Sequence, residues 1–112
     1  MKVFLDDERA TPNGWYRAYE AHQAIAMLEC GLVTHISLDH DLGEGEGIGN
    51  GYDVVLWIEE MVVCGDFIPP HILIHTSNPS ARLKMQAGVQ QIRKHYERVK
   101  ESDRGSFTDS LA

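Results

Sequence analysis

Three short segments of this chain put acids and imidazoles where apolar runs stop: Leu5-Asp6-Asp7, Leu38-Asp39-His40-Asp41 and His75-Thr76-Ser77-Asn78. Carboxylates brought together repel one another unless a cation or a shared proton lies between them. Asp6, Asp7 and Asp39, if gathered at one place, therefore read as hard oxygen ligands for a divalent ion, Mg²⁺ or Mn²⁺. His40 and His75 are the residue type that titrates near neutrality, and two imidazoles flanking a phosphate suit general acid and base work. Asp41 would orient one of them. Thr76, Ser77 and Asn78 precede a helix start whose free amides and positive dipole end would face an anion. Arg82, one turn into that helix, and Arg9, just after the acidic pair, complete the candidate phosphate contacts.

Each residue also has a plainer role. Asp commonly ends strands and starts turns, so it is the coincidence of several at one edge that argues for a site. Asn78-Pro79 is what a capped helix start needs whether or not anything binds. Arg9 and Arg82 would serve equally as solvated surface charges, and His75 as a hydrogen-bonded structural histidine. Strand alternation places Asp39 and Asp41 on one side of the chain and His40 on the other, provided the strand stays extended that far. His22, His35, His71 and His95 fall in helices or at strand starts and read as structural. The loop from residue 43 to 51 carries five glycines and two glutamates but no Lys-Ser/Thr ending, so it is not a phosphate-binding P-loop. It suits a lid over the strand ends or, more simply, a long crossover connection.

What must position these residues is an alternation of strands and helices. Val3-Phe4-Leu5, His35-Ile36-Ser37-Leu38 and His71-Ile72-Leu73-Ile74 are short apolar runs of the kind buried in a parallel sheet. Trp15 to Tyr19, after the turn cluster Thr11-Pro12-Asn13-Gly14, reads as a short edge strand. Ala21, Ala24, Ile25 and Leu28 recur at helical spacing before Gly31; Val54, Val55, Ile58, Met61 and Val62 do so before Gly65. A third helix opens at Asn78-Pro79 and is predicted to run to about Val99, followed by a polar tail over 101–112 in which a fifth strand and a frayed end are both open readings. The expected fold is α/β: a small three-layer, flavodoxin-like sheet of four to five mostly parallel strands with helices on both faces. Ligands of such sheets bind beyond the carboxyl ends of the strands, where all three polar segments fall.

Composition narrows the function classes. With 112 residues, the chain has the length of one domain, taken here as residues 1–100. A net charge of −7 disfavours unaided attraction to polyanionic duplexes, so sequence-specific DNA binding is not expected. A phosphate ligand would need a metal or a few placed donors. Cys30 and Cys64 have no CxxC spacing and read as ordinary buried or half-buried thiols. No segment reads as a signal peptide or membrane span, making the cytoplasm the expected compartment and a membrane partner unexpected. Oligomeric state is not legible.

The strings Leu5-Asp6-Asp7, Ser37-Leu38-Asp39-His40-Asp41-Leu42-Gly43, Gly51-Tyr52-Asp53 and His75-Thr76-Ser77-Asn78-Pro79, in this order, resemble the cyclic-phosphate processing receiver-like family. The resemblance spans roughly residues 1 to 96. It implies a receiver-type, flavodoxin-like fold and the handling of a small nucleotide or RNA-end cyclic phosphate. The chain is also similar to response-regulator receivers, whose acidic pair, phospho-accepting Asp and Ser/Thr correspond to Asp6, Asp7, Asp39 and Thr76. It lacks their lysine after a fifth strand, which argues against phosphorelay signalling, while His40 and His75 favour hydrolysis. The expected activity is a metal-assisted cyclic phosphodiesterase: Asp6, Asp7 and Asp39 hold the ion, His40 and His75 act as acid and base, and Asn78, Thr76, Ser77, Arg82 and Arg9 grip the phosphate. The alternative is a non-catalytic receiver-like module that binds a nucleotide or a partner protein.

Overall fold

A computed structural model describes residues 1–43 and 45–111, with side chains to residue 101 outside residue 44. The elements follow in the order β1 (Lys2–Leu5), β2 (Tyr16–Ala18), α1 (Ala21–Glu29), β3 (His35–Leu38), α2 (Gly51–Cys64), β4 (His71–Ile74) and α3 (Pro79–Leu111). The four strands form one parallel sheet in the order β2-β1-β3-β4. Chain direction across the sheet reverses after β1, so β1 and β3 diverge at a switch point, and the loops leaving both open at their carboxyl ends.

The helices lie on one face of the sheet rather than on both. β2 to β3 and β3 to β4 both step the same way across the sheet, so right-handed crossovers place α1 and α2 on the same side. α3 packs along α2 and joins that layer. β1 to β2 steps the other way, and its connection over residues 6–15 crosses the opposite face without a helix. The expected three layers are therefore two. The core lies between sheet and helices, where Val3, Leu5, Ile36, Leu38 and Ile72 meet Ala24, Leu28, Val54, Ile58, Met85 and Ile92. On the other face Phe4 is covered edge-on by Trp15 from the connection, while Leu73 remains 42% exposed.

Local signals place the helix ends. Glu20 and Gln23 form a reciprocal capping box at the start of α1. Asn50 and Asp53 do the same for α2, and Gly65 ends it with a left-handed φ of 101°. In α3 the side chain of Asn78 accepts from the amide of Ala81 at 3.1 Å, as its capping role predicts. Ala81, Met85, Val89 and Ile92 then face the core. The helical backbone continues to Leu111, past the end near Val99 that its apolar spacing predicts, and no proline interrupts it. Among the described residues there is no fifth strand. Side chains of the polar tail beyond 101, and Ala112 altogether, lie outside the described residues. Cys30, the cap after α1, and Cys64, the last residue of α2, are exposed free thiols, not buried ones. Among the described residues no helix is long and apolar enough to cross a membrane.

Candidate functional site

The chain leaves β1 into the sheet edge, and Asp6 is fully buried there at 0% exposure, an unusual place for a carboxylate. It is supported by hydrogen bonds on both oxygens. Oδ1 accepts from the amides of Glu8 at 2.8 Å and Arg9 at 2.9 Å, as a turn after a strand allows. Oδ2 accepts from Arg9 Nη1 at 2.8 Å and from His75 Nε2 at 3.0 Å. Burial pushes the Asp6 carboxyl up, but the two amides, the guanidinium and the imidazole together outweigh it and hold the group well below the usual carboxylate range.

Asp39, the first residue past β3, is 7% exposed and lies across from Asp6. Its Oδ1 accepts from the amide of His40 at 2.8 Å, and its Oδ2 is 3.3 Å from the same Arg9 Nη1 that pairs with Asp6. Arg9 thus bridges the acids of two strand ends, and their charge holds it protonated more firmly still. Asp7 lies on the open side of the pair, so that Asp6, Asp7 and Asp39 offer oxygens all within 4.8 Å of one another. Such hard donors suit Mg²⁺ or Mn²⁺, and these three residues are the ones that could hold an ion.

Above the acids lies a cleft of about 360 Å³ lined by Asp7, Glu8, Arg9, Asp39, Asp41, Gly43 and Ser77. Gly43 comes close because a Cβ there would sit 3.2 Å from Asp7 Oδ2. A second groove, beside β4, is walled by Ile72, Ile74, Val89 and Arg93 and has no acid; it does not meet the strand-end residues.

The other candidates divide between the cleft and its supports. β3 ends at Leu38, so strand alternation lapses before His40, whose Nδ1 reaches Asp41 Oδ1 at 2.9 Å. Asp41 lines the cleft, and this contact ties the His40 ring to it. His75 lies to the side of the cleft, on the face without helices. Its ring stacks on Phe4 with centroids 4.4 Å apart, and its Nδ1 is 2.7 Å from Ser37 Oγ. Because ionised Asp6 takes a proton from Nε2, the neutral ring receives the Ser37 hydroxyl proton at Nδ1, and both nitrogens are committed. Burial lowers the His75 pKa despite Asp6, which keeps the ring in that neutral form. Thr76 is fully buried, with its hydroxyl accepting from the amide of Asn78. Asn78 is spent on its cap, and the Arg82 guanidinium turns back to the Thr76 carbonyl. Of the third segment, Ser77 alone lines the cleft.

Ser37 is the partner that sequence reasoning missed. It sits inside an apolar strand, and its only signal is being a polar residue on the alternate face, in register with Leu73, two residues before His75. Of the remaining histidines, His22 pairs with Glu20, and His35 meets Thr34 and the His71 ring. These are local contacts away from the cleft.

In comparison with known proteins, the family model described as the cyclic-phosphate processing Receiver domain matches residues 1–91, which include every residue of the cleft. No curated protein and no solved structure matches.

Proposed function

The chain belongs to the cyclic-phosphate processing receiver family, and from that premise we propose that its strand-end cleft binds and hydrolyses a cyclic phosphate with the help of a divalent cation. The observation that carries this reading is the charge of the cleft. Asp7, Glu8, Asp39 and Asp41 line it and Asp6 lies beneath, against the single guanidinium of Arg9. A phosphodiester anion would be repelled from such a surface unless a cation came with it. Asp6, Asp7 and Asp39 would hold Mg²⁺ or Mn²⁺, which would supply that charge and polarise a phosphoryl oxygen.

The chain's own groups do the rest. In hydrolysis the oxygen of water forms a bond to phosphorus while one ring P–O bond breaks, giving a monoester and a free hydroxyl. The His40–Asp41 pair takes the proton of the attacking water, its imidazole oriented by the carboxylate. The released oxygen takes its proton from solvent, to which the cleft is open. Ser77, which lines the cleft, donates to a phosphate oxygen. His75 acts by holding Asp6 in position, since neither of its nitrogens is free for the substrate. The substrate class is a small nucleotide or an RNA-end cyclic phosphate.

The test is turnover of 2′,3′-cyclic nucleotides, cyclic oligonucleotides and cyclic-phosphate-ended RNA with Mg²⁺, Mn²⁺ or chelator. Cation-dependent formation of a phosphomonoester is expected, falling by about 100-fold in His40→Ala, within the usual range for a general base, and also lost in Asp39→Asn. Stabilisation by the ligand without turnover would instead leave a binding module.

A further inference from the structure

We propose that Arg9 and the divalent cation alternate at Asp6, and that the arginine released by the cation becomes the clamp for the phosphate in the same cleft. The inference rests on the cation reading above and adds to it an order of events. A carboxylate has room for about four hydrogen bonds, two on each oxygen. Asp6 already has them all: Glu8 N and Arg9 N on Oδ1, Arg9 Nη1 and His75 Nε2 on Oδ2. A cation can reach this carboxylate only by replacing one of them.

The four are not equally held. The two amides belong to the turn after β1 and cannot leave without unwinding it. His75 is fixed by its strand, by Ser37 and by its stack on Phe4. The Arg9 guanidinium stands on a long flexible side chain that is 44% exposed, so it alone can depart at little cost. It also occupies the right place. One of its nitrogens lies 2.8 Å from Asp6 Oδ2 and 3.3 Å from Asp39 Oδ2, where an ion bridging the two strand ends would bind. Guanidinium and dication cannot share that position.

Arg9 remains a wall of the cleft after it is displaced. Its planar fork then matches two oxygens of a phosphate, a pairing better than any other residue of the cleft offers. Before the cation binds, the same guanidinium is spent on Asp6 and Asp39, and the cleft is acidic. Cation must therefore precede phosphate. In its absence Arg9 acts as an internal counter-ion that keeps the two acids together.

Calorimetry with Mn²⁺ alone, and then with inorganic phosphate on the Mn²⁺-loaded protein, tests this in the wild type and Arg9→Gln. The variant is expected to bind Mn²⁺ about tenfold more tightly and phosphate about tenfold more weakly, the size of one charge-assisted hydrogen bond. Loss of positive charge alone would explain the first change, so the guanidinium is also followed directly. In ¹⁵N spectra, Mg²⁺ should shift the Arg9 Nε–H signal and speed its exchange with water. Binding of Mg²⁺ with that signal unmoved and protected, or unchanged phosphate affinity in Arg9→Gln, would overturn the proposal while leaving the cation site standing. Absence of Mn²⁺ and Mg²⁺ binding at millimolar concentration in both folded proteins would overturn the cation reading and this inference with it.

Discussion

Asp6 and His75 are hydrogen-bonded but differ in charge: the carboxyl is kept ionised by four donors, and the imidazole is kept neutral by burial against the pull of Asp6. Both couplings make the fold sensitive to acid, in different ranges. His75 takes up a proton less readily folded than unfolded, where its pKa is about 6.5, so its contribution to stability is complete above that value and is lost as pH falls below it. Asp6 also takes up a proton less readily when folded. Its contribution is complete above about pH 4, the unfolded carboxyl range, and is lost only as pH falls further. The melting temperature of the metal-free protein should thus fall between pH 7 and 5, and again below 4. His75→Gln should abolish the first fall and keep the second; a variant that retains the slope from pH 7 to 5 would show that another group titrates there. Ser37→Ala leaves a half-buried ring nitrogen without its donor and should cost about 1 kcal/mol in urea denaturation. Neither Ser37 nor its role was legible from spacing, because an isolated serine in an apolar run carries no signal until the partner strand is known.

At the scale of elements, the site depends on how α2 is seated against the end of β3. The amide of Gly51 donates to His40 O at 3.1 Å, and a Cβ on Gly51 would collide with the backbone carbonyl of Asp39. No side chain fits at this approach, which is a matter of space and not of a positive φ. Gly51→Ala should therefore destabilise the protein by about 1–3 kcal/mol, the usual range for overpacking. Asn50→Ala, one residue earlier, removes a cap and should cost about 1 kcal/mol without moving Asp39. Urea denaturation measures both, and cation affinity should suffer in Gly51→Ala only. The helix itself was readable from Val54, Val55, Ile58 and Val62, and its stop from Gly65. That its first glycine is needed by the strand next to it was not, since the glycine-rich loop offers five candidates and sequence alone does not say which one meets backbone.

For the whole molecule, the one-sided helix layer follows from strand order and handedness. Three helices cover one face because every connection that contains or precedes one steps in a single direction or packs on its predecessor. The uncovered face retains Phe4, Ser37, Leu73 and His75, shielded in part by Trp15. The core likewise ends well before the end of α3: Ile92 is the last buried residue among those described, with Tyr96 packed against the core. A chain ending at residue 100 should therefore unfold within about 0.5 kcal/mol of the full chain, the range of surface changes. A larger loss in urea denaturation would mean that the last turns of α3 contribute packing. The alternation of elements announced the α/β class, but not which face each helix takes, because strand order is a property of pairing and not of sequence order.

The acids at the ends of β1 and β3, the helix cap at Asn78, and the apolar stripes of the helices were determined by the sequence alone. Each depends on residues a few positions apart, where alternation, capping and turn chemistry act directly. Only the tertiary structure decided that Arg9, expected to grip a phosphate, pairs with Asp6 and Asp39, that Arg82 turns away from the cleft, and that His75 joins Asp6 to Ser37. The contact from His75 to Asp6 spans 69 residues and that from His75 to Ser37 spans 38. Such partners are chosen by which strands lie side by side and which hydrogen-bonding sites remain unfilled when they do, and neither exists before the sheet has formed.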